Sequence, residues 1–79
     1  MLRSQYVKMI DKAIQDFAAG YRCGTLDKNV IDIKIHTILS CMEQEKSFAN
    51  KTKIHITNYA NDAMRKAKWI LGITQNLNW

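Results

Sequence analysis

Apolar positions near the start of the chain recur at steps of three and four residues. Leu2, Tyr6, Met9, Ile10, Ala13, Ile14, Phe17 and Tyr21 share one side of a helical wheel, and Ser4, Lys8, Asp11, Gln15 and Arg22 share the other. That spacing predicts an amphipathic helix over 2–21. Its stop is expected at Gly20 or Gly24, because glycine accepts the left-handed conformation that follows a helix.

The second segment, 27–49, supports two readings. Ile31, Ile35, Ile38, Leu39 and Met42 keep helical spacing, with Ala49 on the same line. Yet "VIDIKIH" alternates Ile31, Ile33 and Ile35 with Asp32, Lys34 and His36, and "KIHIT" at 53–57 repeats the alternation. Two short strands near 30–36 and 53–57 would make an α+β fold, since isoleucine suits strands. The alternation fails at Thr37-Ile38-Leu39, whereas the helical pattern runs on to Met42, so the helix is preferred and Ile33 falls off its main face. Thr25 or Asp27 is the expected N-terminal cap.

Residues 50–53, "NKTK", read as a connection, with Asn50 or Thr52 capping a third helix. Ile56, Tyr59, Ala60, Ala63, Met64, Ala67, Ile70 and Leu71 form its apolar arc, and Gly72 is its expected stop. The alanines would let a neighbouring helix approach closely. The expected architecture is therefore an all-α single domain, 1–79, a small bundle of about three amphipathic helices. Residues 73–79, with Ile73, Leu77 and Trp79, are expected as a tail that docks back or frays.

Composition narrows the class. The chain has 79 residues, 47% of them apolar, which is globular for one small domain. A chain this size buries little more than about 60% of its unfolded surface, so pairing with a second copy would add useful area. No apolar run approaches a membrane span, and the N-terminal stretch lacks a signal peptide's uninterrupted apolar core. Two cysteines without close spacing fit a reducing cytoplasm. The richness in isoleucine, lysine and asparagine suits an AT-rich genome such as that of a bacterium, a phage or another mobile element.

Net charge is +5 and unevenly placed. Residues 1–45 balance Arg3, Lys8, Lys12, Arg22, Lys28 and Lys34 against Asp11, Asp16, Asp27, Asp32, Glu43 and Glu45. Residues 46–79 set Lys46, Lys51, Lys53, Arg65, Lys66 and Lys68 against Asp62 alone. A concentrated positive field attracts anionic partners, although it equally serves solubility.

Trp69 sharpens this picture. With Ile56 at zero, Trp69 falls at about 220° on the third helix, outside the core arc of about 300° to 80° and beside Asn58, Arg65 and Asp62. Arg65 lies four residues away, within cation–π reach. Three roles fit: packing against the tail or another subunit, anchoring a protein partner, or stacking on an unpaired base while the lysines hold phosphates. The candidate partner-binding set is Trp69, Arg65 and Lys68, flanked by Lys51 and Lys53.

Other chemistry fares less well. Cys23, His36, Cys41 and His55 lack zinc-ligand spacing. A Cys–His nucleophile is disfavoured because Cys41 is expected near the core as an apolar filler. Asp27 with Asp32, and Glu43 with Glu45, read as helix-start and surface charges. The three isolated glycines make no phosphate loop. Residues 16–39 resemble a helix-turn-helix in outline, but their near-zero net charge suits an αα-hairpin better. A lipid-surface helix would want larger apolar residues than the alanines here. The expectation is a cytoplasmic, non-enzymatic binding protein of inhibitor or adaptor type, without cofactor or metal. Its expected partner is a protein rather than a nucleic acid, and it is expected to form a homo-oligomer, a dimer above all. A nucleic-acid-binding regulator is the alternative.

Overall fold

The computed structural model describes residues 2–73, and these form three helices and no strand. They are α1 (Arg3–Arg22), α2 (Val30–Glu43) and α3 (Asn50–Ile70), and every pair of them packs together. The bundle measures 38 × 29 × 16 Å between Cα extremes, so each helix keeps one side against its neighbours and another toward solvent.

The core follows the predicted stripes. Tyr6, Ile10 and Phe17 come from α1, Ile31, Ile35, Ile38 and Met42 from α2, and Ile56 and Ala60 from α3. Around them pack Ala13, Ile14, Tyr21, Leu26, Val30, Leu39, Phe48 and Met64, half-buried. Each helix presents apolar residues at three- and four-residue steps, and burying them against two others removes them from water at about 25 cal/mol per Å². Ala60 is fully buried on the inner face of α3.

The alternating stretch 30–36 is helical throughout, as is 53–57. Ile31 and Ile35 share the buried face, while Ile33 stands 66% exposed on the opposite side. The period of 3.6 thus governs here, and the β-propensity of isoleucine yields to tertiary burial.

The ends differ from expectation in detail. α2 is shorter than 27–49. Asp27 Oδ1 accepts the Asn29 backbone N–H at 3.4 Å in the turn before the helix, so Asp27 organises the approach rather than capping. The N-cap position belongs to Asn29, and that of α3 to Ala49, so neither Thr25, Asn50 nor Thr52 fills the expected role. Thr25 instead closes the end of α1, its hydroxyl donating to the Gly20 carbonyl at 3.1 Å. Residues 44–49 leave the helix so that Phe48 can reach the core, where its ring meets Tyr6 edge-on at 5.7 Å. Ala49 is exposed, and so is Leu2, which precedes the first turn of α1.

Both predicted glycine stops hold. Gly24 and Gly72 have φ of 77° and 75°. After α1, the Gly24 and Thr25 N–H groups donate to the Tyr21 and Gly20 carbonyls at 3.1 and 2.9 Å. After α3, the Gly72 and Ile73 N–H groups donate to the Trp69 and Lys68 carbonyls at 3.2 and 2.9 Å. These are paired Schellman bonds, which answer carbonyls that a helix end otherwise leaves open. Gly20 lies inside α1, and a Cβ there would run into the Leu26 side chain. The expected tail packing of Leu77 and Trp79 falls outside the described residues.

Candidate functional site

The last turn of α3 is where the wheel left Trp69 among charges, and the side chain there is 56% exposed. The turn itself is firmly held. The Schellman bonds close it, and Leu71 and Ile73 pack against the core just beyond. Trp69 is therefore a large apolar group carried outward on a rigid, capped element. Its neighbour Ile70 is 61% exposed. The wheel put Ile70 in the core arc, but it lies toward the arc's rim and is left exposed.

The cations divide into distinct groups. Arg65 stays at the surface one turn before Trp69, its guanidinium 3.3 Å from Asp62 Oδ1. Both side chains are largely exposed, so the pair contributes little to stability and leaves the guanidinium reachable. Lys68 is different. Its ammonium reaches across to α2 and donates to Asp32 Oδ1 at 2.9 Å, with side-chain exposures of 23% and 48%. Lys53 donates to the Glu43 carbonyl at 2.9 Å and so satisfies an open group at the end of α2. These two lysines join α3 to the two ends of its antiparallel neighbour.

Lys51 is exposed, but eighteen residues of helix put it about 27 Å from Trp69. The five-residue face expected from sequence thus separates into parts. Trp69 and Arg65 stand together at the surface, Lys68 is drawn toward α2, and Lys51 and Lys53 lie at the far end of α3.

Sequence reasoning missed what lies on the other flank of Trp69. An open cleft of about 500 Å³ runs between α1 and α3, lined by Ile14, Tyr59, Ala63, Lys66, Ala67 and Ile70 among others. Tyr59 is 39% exposed, and its hydroxyl donates to Asp11 Oδ1 at 2.6 Å, tying α3 to α1. That hydrogen bond, with burial next, raises the phenol's pKa above its ordinary value. The signal was available: Tyr59 and Ile70 sit at the edge of the apolar arc, where a helix with neighbours on one side leaves residues half-covered. A smaller hollow of about 370 Å³ lies on the opposite side, by Asn61, Met64, Arg65 and Lys68.

Cys41 corrects an expectation. It is exposed, as is Cys23, because it stands about 100° round the helix from the buried Met42. Both histidines are exposed as well. Among the described residues no three His, Cys, Asp or Glu side chains gather where a metal could bind, and no helix is long and apolar enough to cross a membrane. Compared with known proteins, the chain matches no family model, no curated protein and no solved structure.

Proposed function

We propose that the protein is a small non-enzymatic binding module that acts by occupying the surface of a partner protein, as an inhibitor or adaptor, in the cytoplasm of a bacterium or from a phage or mobile element. The observation that carries this reading is the exposure of Trp69 on a capped, rigid helix end, beside the exposed Ile70 and with Arg65 one turn away. Tryptophan and arginine dominate binding hot spots because a flat apolar surface and a forked cation desolvate well together. A rigid carrier also lowers the ordering cost of binding.

The charge arrangement favours a protein over a nucleic acid. Phosphate binding needs free cations along one track. Here Lys68 is held by Asp32 and Lys53 by the Glu43 carbonyl, and Lys51 is a helix-length from Arg65 and Trp69.

The test places a photoreactive phenylalanine analogue at position 69 and irradiates the protein in extracts of cells that express it. The expected result is a discrete protein adduct that survives high salt. Unlabelled wild-type protein should compete it away, and the Trp69→Ala variant should not. Equal competition by both would overturn the reading. Salt-sensitive retention of single-stranded DNA, lost on Arg65→Ala, would replace it with the nucleic-acid alternative.

A further inference from the structure

α3 carries a second pattern beside its core stripe. His55, Tyr59, Asp62, Lys66 and Trp69 follow at steps of four, three, four and three residues. That is the spacing that keeps one line of side chains under a second packed helix. All five are exposed. The cleft between α1 and α3 runs along the same line, with Ala63 and Ile70 contributed by α3 and Ile14 by α1. Among the described residues this line is left open to solvent.

The line is also symmetric in a specific way. Tyr59 and Trp69 lie five residues to either side of Met64, and Asp62 and Lys66 lie two residues to either side. Consider a second α3 laid antiparallel on the first about a twofold axis at the level of Met64. Tyr59 then faces Trp69 of the second copy, Asp62 faces Lys66, and each pairing occurs twice. A parallel arrangement instead sets Asp62 on Asp62 and Lys66 on Lys66, which like charge disfavours.

We infer that this face of α3 binds a second copy of the chain, antiparallel, through the Tyr59–Trp69 and Asp62–Lys66 pairings, and so covers the α1–α3 cleft. The symmetry of the line holds whether or not the face also binds a foreign partner. Pairing bears on the proposed function because Trp69 is covered in it, so self-association competes with capture of a partner. The seam from Tyr59 to Ile70 spans about 17 Å of helix, which makes a small interface and a weak, reversible dimer.

The experiment is sedimentation of the full-length protein from about 1 μM to about 1 mM, the span of weak interfaces. The wild type should pass from monomer to dimer within it. Asp62→Lys and Lys66→Asp should each remain monomeric, with helical content unchanged by circular dichroism because both sites are exposed. An equimolar mixture of the two variants should dimerise again, since one then carries two cations and the other two anions at the seam. Trp69→Ala should weaken the dimer by at least about tenfold, as loss of a central aromatic does.

A wild type that stays monomeric throughout overturns the inference. So do single variants that dimerise like the wild type, or a mixture that does not associate. The two readings fail separately. A monomer that still gives a foreign-protein adduct at position 69 removes only this inference. A charge-swappable dimer whose sole adduct has twice the chain's own mass removes only the proposed function.

Discussion

The hydroxyl of Tyr6 donates to Glu45 Oε2 at 2.6 Å, joining the middle of the first helical turns to the connection that follows α2. The ring is buried and meets Phe48 edge-on, so one residue gives the α2–α3 connection both an apolar and a polar anchor. The carboxylate acceptor, then burial, pushes the Tyr6 phenol up to about 12. The same bond, as the largest influence, lowers the Glu45 carboxyl. The two shifts act on stability at opposite ends of the pH scale. Unfolded tyrosine ionises near its ordinary value of 10.0, so stability should fall as pH rises from there to about 12. Unfolded glutamate binds a proton before the folded one does, so stability should also fall as pH drops below the ordinary carboxylate range. Urea titrations of the wild type and Tyr6→Phe check this. The variant keeps the ring packing, so its deficit should be largest near neutrality and shrink on both sides, as Glu45 is protonated in acid or Tyr6 ionises in alkali. A deficit that is constant with pH would show that the hydroxyl acts through packing alone.

Lys68 belongs to the fold more than to the candidate surface. Its contact with Asp32 at 2.9 Å joins the last turn of α3 to the first turn of α2, with the lysine side chain only 23% exposed. Partly shielded ion pairs of this kind stabilise by up to about 1 kcal/mol. Lys68→Met and Asp32→Asn should therefore each cost a fraction of that, and the double variant should cost less than their sum in a double-mutant cycle. Raised salt should weaken the coupling. Equal and additive losses would show that the two side chains act independently.

The helical period revealed most of the fold, and the reason is visible in particular residues. Ile31 and Ile35 sit four apart and both are buried, whereas Ile33 between them is exposed, so burial in α2 tracks the 3.6-residue period and not the alternation. Gly24 and Gly72 both take the positive φ that a helix end asks of glycine. Caps and connections were less legible, because they depend on where the chain must go next. Phe48 fell inside the segment 27–49 read as the second helix, and only its contact with Tyr6 shows what the chain gains by leaving the helix there. The wheel angle placed Trp69 off the core arc but left open whether it was covered, and the packing shows it 56% exposed. The pairing of Lys68 and Lys53 was not legible either, since both depend on the register of α3 against α2, which no single-helix wheel contains. Tyr59 and Ile70 stood at the rim of an arc whose width is set by how many neighbours the helix has.

Gly20 offers a test in which helix propensity and packing oppose each other. Alanine in place of an interior helical glycine stabilises by about 1 kcal/mol when nothing else changes. Here the added Cβ would meet the Cγ and Cδ1 atoms of Leu26, a half-buried side chain packed on the core. Overpacking costs typically about 1–3 kcal/mol. Gly20→Ala should therefore lower stability by roughly 1 kcal/mol net. In a Leu26→Ala background the obstruction is gone, and the same change should raise stability. Chemical denaturation of the four proteins measures both signs. A stabilising Gly20→Ala in the wild-type background would mean that Leu26 moves aside at little cost.

Trp69 and Ile56 lie on the same helix and should respond oppositely to truncation. Ile56 is buried in the core, and Ile→Ala at such a site costs about 2–5 kcal/mol through lost transfer energy and a cavity, a large share of the stability of so small a domain. Trp69 is 56% exposed on the outer side, and Trp69→Ala should shift stability by no more than about 0.5 kcal/mol in dilute protein. Fluorescence gives the complementary reading. In a Trp79→Phe variant the emission comes from Trp69 alone, and at low concentration it should be red-shifted and readily quenched by iodide or acrylamide. Blue-shifted, protected emission in dilute protein, together with a large loss of stability on Trp69→Ala, would place the indole inside the folded chain. The anchor would then have to be sought at Ile70 and Tyr59, the remaining half-exposed residues along the α1–α3 cleft.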